Sequence, residues 1–487
     1  MPRAPSILIV TCYYPPSRAI GAKRPLRMAR GLRDLGWRVT VLTTSPSLQG
    51  ALDLEEPADP GVELVRSAAL MPRISLRSRA ERAQGRAAAQ ATTTASAAPV
   101  AAPASSAASS SSAAADSWAV VASSAAAAWS ANAGGPARAP RVSASDPVPW
   151  RALAGPPRRL ASTALSALEF PDAFIGWLPF AVAAMRGRRF DVVLATLPPR
   201  SVALVGAAVA KVTGARLVLD YRDPWSELLT ADGSYGESRA VPAWERTLHR
   251  RTEDAVLRQA ALTLAVTPTI QRWLSARTSG EVVLLPNGLD AMPPEPPPPR
   301  TWPLRLVYAG SLAYERSLDP LLQAMADLRP HWDAASLRLL YAGPHGADLR
   351  RTAVAHGVAD AVEDLGALPW AEARALYVGA AAGVVSVSAR TGYSYPGKLF
   401  EILAAGCPIW LSGPNDCDAA TLVLQLGAGT CDDGRDRETT AARLRALLHR
   451  EPAPLSRQGL ADWQAARQIE TLDALLSRVV GRSSSDG

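Results

Sequence analysis

The sequence contains little histidine: there are five in 487 residues, and the first of them is His249. Any proton transfer by the first half of the chain therefore has to use a carboxylate and not an imidazole. The four cysteines form no Cys-x-x-Cys pair, which argues against a disulfide framework or a zinc site and favours a reduced, cytoplasmic compartment. No run of about eighteen apolar residues occurs, and the first strand is expected to start at Ser6, so we predict neither a membrane-spanning helix nor a signal peptide.

Lysine is also rare, since only Lys23, Lys211 and Lys398 contribute to the 52 basic residues. The net charge of +8 is unevenly distributed: residues 1–290 hold 33 basic and 22 acidic residues, and the remainder holds 19 and 22. The basic surplus of the first half favours an anionic partner there. An acidic membrane surface or a lipid diphosphate fits this surplus as well as nucleic acid does.

Apolar segments of strand type alternate with helical segments in two series. The first series predicts strands at 7–11, 39–44, 192–195, 217–221, 262–266 and 282–285, and the second predicts strands at 304–308, 337–341, 383–387 and 409–411. Helices are predicted between them at 23–35, 202–212, 242–259, 319–328, 347–356 and 397–405. This alternation indicates parallel sheets with right-handed crossovers. The sequence thus predicts an α/β protein with two Rossmann-like domains that face a cleft.

The domain limits follow from changes in composition. We expect the first domain to span 1–290 and the second to span 303–454, with a Pro-rich linker at 291–302 between them. A last helical segment, 455–480, is expected to pack back across both domains. Within the first domain, residues 83–148 consist largely of Ala, Ser and Thr and lack the large apolar side chains that offset chain entropy, so we interpret them as a disordered insertion without a chemical role.

The strongest motif is Tyr-Pro-Gly-Lys-Leu-Phe-Glu-Ile-Leu-Ala-Ala-Gly-Cys-Pro, which contains Gly397, Lys398 and Glu401. Gly397 begins a helix whose free N–H groups can hold phosphate oxygens. Lys398 adds a positive charge there, and the Glu401 carboxylate, one turn later, can accept hydrogen bonds from ribose hydroxyls. The motif therefore predicts a site for a nucleoside diphosphate.

Two further loops follow predicted strands and provide candidate ligand contacts. Gly310 and Ser311 come directly after the first strand of the second domain, and Arg316 in the same loop is a candidate clamp for a diphosphate. Gly21 lies between the first strand and the first helix, where a glycine allows a ligand to approach the backbone closely; an ordinary strand-to-helix loop explains it equally well.

Asp220, Arg222 and Asp223 follow another strand of the first domain, at the sheet edge where open α/β sheets bind ligands. If this domain supplies a catalytic base, Asp220 or Asp223 is the candidate. The structural alternative is an Asp–Arg pair that holds the loop in place. Asp416 and Asp418 form a D-x-D pattern, which we interpret as helix capping because it follows Gly-Pro-Asn at a helix start.

Two segments of the first domain suggest a membrane surface. Residues 170–180 are densely aromatic and precede Arg186, Arg188 and Arg189, as in an interfacial anchor, although a packed core is the simpler interpretation. The predicted helix 23–35 carries cations at helical spacing, which either form a solvated face or contact anionic lipid. We therefore expect a cytoplasmic protein that can associate peripherally with the inner face of the membrane.

At this point the chain resembles the family-4 retaining glycosyltransferases with the GT-B fold, of the bacterial surface-polysaccharide type. The resemblance is carried in order by four landmarks: Tyr-Pro-Pro-x5-Gly near the start, Pro-Asn-Gly-Leu-Asp before the linker, Tyr-Ala-Gly-Ser opening the second domain, and the Pro-Gly-Lys motif. It implies that Glu401 is the ribose-binding acid of the family's E-x7-E motif and that Tyr393 replaces the first acid of that motif. It also implies that Ser311 and Arg316 occupy the positions of the family's diphosphate-binding Arg and Lys, so that Lys398 replaces a lost cation. Arg222 stands where a histidine is common.

The resemblance implies a metal-independent reaction with retention and without a cofactor, in which a sugar moves from a nucleotide diphosphate to a lipid-linked or glycan acceptor. No nucleic-acid partner is implied. Arg316, Lys398 and Asp223 are the expected catalytic residues; Asp220 and Arg222 are expected on the acceptor side. The expected donor contacts are Gly21, Gly310, Ser311, Tyr393, Gly397 and Glu401. A GT-B sugar-nucleotide epimerase and a sugar-nucleotide-binding scaffold without catalysis remain alternatives.

Overall fold

The computed structural model describes residues 3–17, 19–48, 59, 61–70, 169–230, 233–234, 241–313, 315–332, 335–450 and 454–481. The predicted insertion 83–148 lies outside the described residues. In the described part, strand and helix segments alternate as the sequence predicts. None of the helices found there combines the length and the apolar character that crossing a bilayer requires.

The first sheet is parallel and, within the described residues, has seven strands in the order β3-β2-β1-β4-β5-β8-β9. These strands are β1 Ser6–Val10, β2 Arg38–Thr44, β3 Glu63–Ser67, β4 Val192–Leu197, β5 Arg216–Tyr221, β8 Ala260–Ala265 and β9 Val282–Leu284. A short antiparallel ribbon of β6 Leu229–Thr230 and β7 Gly233–Ser234 follows β5. Every residue of β1 is buried, because helices cover both faces of a parallel sheet.

The second sheet is also parallel, with six strands in the described chain in the order β12-β11-β10-β13-β14-β15. They are β10 Leu304–Ala309, β11 Leu337–Ala342, β12 Val362–Asp364, β13 Ala382–Ser386, β14 Ile409–Ser412 and β15 Gly429–Asp432. In each sheet the strand order reverses beside the first strand of that domain, at β1/β4 and at β10/β13. Ligands of open α/β sheets bind beyond the strand ends at such points.

Helices pack on both sheets. Those of the first domain are α1 Lys23–Asp34, α2 Leu178–Met185, α3 Ser201–Thr213, α4 Ala243–Leu257 and α5 Pro268–Ser275. Those of the second are α6 Asp319–Leu328, α7 Gly346–Ala355, α8 Trp370–Ala375, α9 Gly397–Ala404, α10 Asp418–Gln425 and α11 Arg437–His449. The two parallel Rossmann-like sheets confirm the predicted fold class.

The segment predicted as one last helix is divided into α12 Arg457–Ala461 and α13 Ala465–Gly481. Leu460 belongs to the core of the second domain. The apolar residues of α13, among them Leu472 and Leu476, lie in the core of the first domain together with Ile7 and Ile9 of β1. The C-terminal segment therefore packs on both sheets.

The return of the chain to the first domain is fixed at one point. The amide of Leu289 donates to the carbonyl of Trp463 at 2.6 Å, and the amide of Ala465 donates to the carbonyl of Leu289 at 2.9 Å. A Cβ on Gly288 would lie 2.6 Å from the backbone of Ala465. The Pro-Asn-Gly-Leu-Asp motif thus needs its glycine because two backbone segments touch there.

Candidate active site

The loop after β10 and the start of α9 form the first half of the site. Gly310 has φ of +131°, in the region that favours glycine. A Cβ on it would lie 3.1 Å from Nζ of Lys398, so the absence of a side chain leaves room for the lysine. No side chain caps the start of α9 at Gly397, which leaves its first N–H groups available to an anion.

Lys398 is the most unusual charge in this half. Its Nζ lies 3.3 Å from the centroid of the Tyr308 ring, a cation–π contact, and it is buried without a hydrogen-bond partner among the described residues. Burial and the nearby positive charge of Arg316 hold the pKa of Lys398 well below the usual lysine value, while Glu401 acts in the opposite direction. A buried cation without a hydrogen-bond acceptor is costly, and an anion bound beside it would remove that cost.

The loop that carries Ser311 is fixed by internal hydrogen bonds. Oγ of Ser311 accepts from the amide of Ala313 at 3.0 Å, and the hydroxyl of Tyr308 donates to the Ser311 carbonyl at 2.8 Å. Nδ1 of His345 accepts from the amide of Leu312 at 3.3 Å. His345 was not singled out from the sequence. Its position directly after β11, at the start of α7, could have indicated it as a candidate site residue.

Glu401 lies at the edge of this half and contacts two residues that the motifs did not indicate. Nε1 of Trp370 donates to its Oε1 at 2.5 Å. Nζ of Lys23, in the first domain, lies 3.8 Å from the same oxygen and 3.8 Å from the centroid of the Trp370 ring. Lys23 could have been singled out from the sequence, because it is one of only three lysines and begins the helix after the Gly21 loop.

The first domain supplies the second half of the site, but Asp220 is not free to act in it. Asp220 is fully buried, and its two oxygens accept from Arg24 Nε at 3.2 and 3.0 Å. Thr196 Oγ1 also donates to it at 2.8 Å. Nη2 of Arg24 also donates to the carbonyl of Leu285 at 2.9 Å. Asp220 is therefore the structural member of an ion pair, and its partner is Arg24 and not Arg222.

Arg222 is also fully engaged. Its guanidinium donates to the carbonyls of Leu197 at 2.7 Å, Gly21 at 2.7 Å and Pro198 at 3.0 Å. A Cβ on Gly21 would lie 3.1 Å from Nη1 of Arg222. Gly21 thus makes room for Arg222, and the arginine joins three loops at the carboxyl edge of the first sheet.

Asp223 differs from its neighbours because no described residue hydrogen-bonds to its side chain. Burial raises the pKa of Asp223, and Arg222 opposes that shift. The residues that follow Asp223 are fixed by hydrogen bonds to α4. Trp225 Nε1 donates to Nδ1 of His249 at 2.9 Å, and Ser226 Oγ donates to Glu253 at 2.6 Å. Asp223 is the carboxyl group in this loop that remains available for proton transfer.

Tyr393 packs against the first domain. It is buried, its ring is 5.9 Å from that of Trp273 in α5, and its carbonyl accepts from Thr267 Oγ1 at 2.7 Å. Tyr393 therefore contacts the first domain, and we do not retain it as a donor contact. An aromatic ring that packs in the contact between the domains thus stands where the resemblance implies an acid.

The D-x-D pattern also joins the domains. Asp418 accepts from the amide of Thr269 at 3.1 Å and from its hydroxyl at 3.0 Å, so it binds the first turn of α5, where negative charge is favourable. Asp416 takes no part in these bonds. Among the described residues, no three His, Cys, Asp or Glu side chains are grouped as a metal site.

The predicted membrane-contacting groups are mostly engaged within the fold. Trp177 is buried and donates to Ser67 at 2.7 Å, and Phe170 packs on His249 with ring centroids 4.5 Å apart. On α1, Arg27 pairs with Asp290, and both Arg30 and Arg33 pair with Asp59. These contacts favour the simpler interpretation of both segments, although Phe180 keeps 40% of its surface exposed.

Comparison with known families agrees with this geometry. Residues 113–288 match the glycosyl transferase 4-like domain, and residues 303–450 match the glycosyl transferases group 1 domain. Each of the two matches lies in one of the two Rossmann-like domains, which together form the GT-B fold. The chain belongs to the family-4-like GT-B glycosyltransferases.

Individual relatives are more distant. A glycogen synthase from Mycobacterium tuberculosis is 29% identical over 239 residues, which are 48% of this chain and 54% of the relative; the chain thus spans about half the length of the curated relatives it matches. The α,α-trehalose 6-phosphate synthase of Burkholderia multivorans has a TM-score of 0.55 at 10% identity, over 99% and 100% of the two chains. A sucrose-phosphate synthase from Thermosynechococcus elongatus has a TM-score of 0.50 at 14% identity, over 99% and 98%. These two likenesses concern the fold.

Proposed function

We propose that the protein transfers a sugar from a nucleoside diphosphate to a lipid-linked or glycan acceptor in the biosynthesis of cell-surface polysaccharide. The observation that carries this proposal is the buried Nζ of Lys398, which has no hydrogen-bond acceptor among the described residues and lies beside Gly310 and the uncapped start of α9. A diphosphate bound there receives the charge of Lys398 and the N–H groups of the helix. The family membership supports the same ligand class.

In the proposed mechanism the protein acts mainly through electrostatics. The acceptor hydroxyl attacks the anomeric carbon from the face that the diphosphate leaves, so the configuration is retained. The bond from the anomeric carbon to the β-phosphate oxygen breaks, and the acceptor proton passes to that departing oxygen. Lys398 and Arg316 stabilise the negative charge that grows on the diphosphate, which is why no metal is required in this proposal.

Asp223 offers a second route for the proton. Its raised pKa, and a side chain to which no described residue hydrogen-bonds, suit a group that accepts a proton. Asp220 and Arg222 hold the loop that presents Asp223, so their contribution on the acceptor side is indirect. Position 393 holds a tyrosine and supplies no acid to the donor sugar, so other groups have to contact the hydroxyls of that sugar.

The experiment that tests the proposal has two stages. A thermal-shift screen over UDP-, GDP-, ADP- and dTDP-sugars identifies the donor, because a ligand at about 100 times its Kd stabilises the folded state by about 2.7 kcal/mol. Nucleotide release is then measured with and without a glycan or lipid-linked acceptor. Acceptor-dependent release supports transfer. Formation of an epimeric donor without nucleotide release would indicate an epimerase, and binding without turnover would indicate a scaffold; either result contradicts the proposal.

Association with the membrane remains a prediction within this proposal. A cytoplasmic enzyme that acts on a lipid-linked acceptor has to reach the inner leaflet. The exposed part of Phe180, with the exposed Arg186 a short distance along the chain, is what supports a contact there. The comparison that tests it is flotation with anionic and with neutral vesicles.

A further inference from the structure

The loop between β10 and α6 carries Arg316 and is held at both ends. Its start is fixed by the hydrogen bonds of Ser311 described above, and at its other end Oγ of Ser386 donates to the carbonyl of Ser317 at 3.0 Å. The positive charge of Arg316 acts on Lys398. The loop therefore brings Arg316 to the site that we assign to the diphosphate.

Glu315, the residue directly before Arg316, has an unusual backbone conformation. Its φ is +60°, in the left-handed region that residues other than glycine adopt infrequently. Among the described residues that are not glycine, it is the one with a positive φ. Such a conformation persists where the surrounding structure holds it, and it is found most often at active sites and ligand-binding loops.

The contact that holds the Glu315 side chain is an ion pair. Its Oε1 lies 3.1 Å from Nε of Arg390. Arg390 belongs to the short 3-10 helix Ala389–Thr391, which a capping box fixes. The pair therefore joins the loop of Arg316 to the segment that leads into α9, although both side chains are partly exposed.

An acid directly beside Arg316 disfavours the binding of an anion there. A carboxylate at position 315 without a partner would repel the diphosphate, and it would compete with the diphosphate for Arg316. Neighbours in the sequence do pair in this protein, since Nε of Arg33 donates to Oδ1 of Asp34 at 2.9 Å. Because Arg390 engages the carboxylate and compensates its charge, Glu315 does not compete for Arg316.

We propose that Arg390 is a positioning residue for the diphosphate site, which keeps the carboxylate of Glu315 away from Arg316. This proposal rests on the proposed function, because it takes Arg316 as a residue that binds the diphosphate. The loss of Arg390 should then be harmful only while Glu315 keeps its charge. A merely structural tie would behave differently, since the loss of either partner or of both would have the same effect.

The test compares the full wild-type chain with four variants by calorimetric titration of UDP, GDP, ADP and dTDP. Arg390→Gln should weaken the binding of the preferred diphosphate by about three- to fivefold, the upper range for an exposed ion pair. Glu315→Gln should bind within about twofold of the wild type, and so should the double variant Glu315→Gln with Arg390→Gln, because no carboxylate remains to compete. Arg338→Gln breaks an ion pair with Glu363 of similar exposure; it is the matched control and should change nothing.

The corresponding nucleoside monophosphate shows where the effect lies. It keeps the base and the ribose but lacks the second phosphate, so Arg390→Gln should bind it like the wild type. With the preferred donor and saturating acceptor, kcat of Arg390→Gln should fall at least as much as the affinity for the diphosphate, since negative charge on the leaving group grows in the transition state. The double variant should recover kcat.

Two results would overturn this role of Arg390 and leave the proposed function standing. One is an Arg390→Gln protein that binds and turns over like the wild type. The other is a double variant as impaired as Arg390→Gln, which would mean that Arg390 contacts the diphosphate itself or only holds the loop. If the wild type binds none of the four nucleotides, the proposed function fails and the role of Arg390 fails with it.

Discussion

Asp220 and Lys398 are both charged residues that sequence motifs indicated and that the fold buries, but their hydrogen-bonding environments are opposite. Asp220 is fully buried, and both of its oxygens accept hydrogen bonds from Arg24 or Thr196. Lys398 has an equally buried Nζ, but no described residue accepts from it. A buried charge whose bonding capacity is filled holds a fold together, whereas one that is left open is stable only when a ligand of opposite charge arrives.

The largest effect is expected where the filled pair is broken. Asp220→Ala should lower the stability by about 3–5 kcal/mol, because it leaves the Arg24 guanidinium buried without its carboxylate. The melting temperature of the apo protein measures it. Asp223→Ala is the control in the same loop and should have a much smaller effect. Equal melting temperatures for the Asp220→Ala protein and the wild type would show that the pair contributes nothing.

Removal of the Lys398 charge should lower activity more than stability. Lys398→Ala combined with Arg316→Ala should lower kcat by about 10²–10³, the loss typical of a group that stabilises charge in the transition state, and should change the Kd of the donor less. For Lys398→Ala alone, the melting temperature should fall much less than for Asp220→Ala, since the cation that is removed has no hydrogen-bond acceptor among the described residues. Steady-state kinetics with saturating acceptor, together with a melting curve, separate the two. Near wild-type turnover would place leaving-group stabilisation elsewhere.

A smaller effect is expected at Glu401, between these extremes. Glu401→Gln should weaken donor binding by about 1–3 kcal/mol, because one charged hydrogen-bond acceptor is lost, and should leave kcat nearly unchanged. Calorimetric titration with the preferred donor measures the change. A loss confined to kcat would mean that Glu401 acts on the transition state and not on the ribose.

The smallest expected effect is a dependence on pH. Because the pKa of Lys398 is held well below that of an ordinary lysine, kcat should fall as the pH rises through that lowered pKa. Between the lowered pKa and the ordinary one, near 10.4, the unfolded chain binds more protons at this residue, so its contribution to stability rises with pH. Lys398→Arg should move the fall in kcat to higher pH, since arginine stays charged. A pH–rate profile that is identical for both proteins would exclude Lys398 as its cause.

The elements were predictable where the local pattern was strong. The helix predicted at 319–328 begins and ends as the structure has it, and the strand predicted at 7–11 is shifted by one residue. Short or polar elements were missed, among them β3, β12 and α5. β12 has only three residues, two of them exposed, so neither an alternation of apolar and polar residues nor its apolar content predicts a strand there. It is a strand because it pairs with β11.

The side-chain partners could not be predicted, because they depend on contacts between distant parts of the chain. Asp220 was expected on the acceptor side, with an Asp–Arg pair inside its own loop as the structural alternative, but the fold pairs it with Arg24 from α1. Tyr393 was assigned by its position in a motif, and the structure packs it on Trp273 of the other domain. Lys23 and Trp370 carry no motif of their own. Lys23 reaches Glu401 from α1 of the other domain, and Trp370 reaches it from α8, which is distant in sequence but lies in the same domain.

The crossing at Leu289 and Ala465 has a consequence for the synthesis of the protein. Helix α13 covers one face of the first sheet, yet it follows the last strand of that sheet by about 180 residues. While the ribosome is still making the second domain, Ile7, Ile9 and their neighbours on that face are covered only in part, by Met28 and Leu32 of α1. The first domain to emerge is thus the last to be completed. A nascent chain arrested before residue 465 should therefore expose an apolar surface that chaperones bind, and release of the finished chain should remove it.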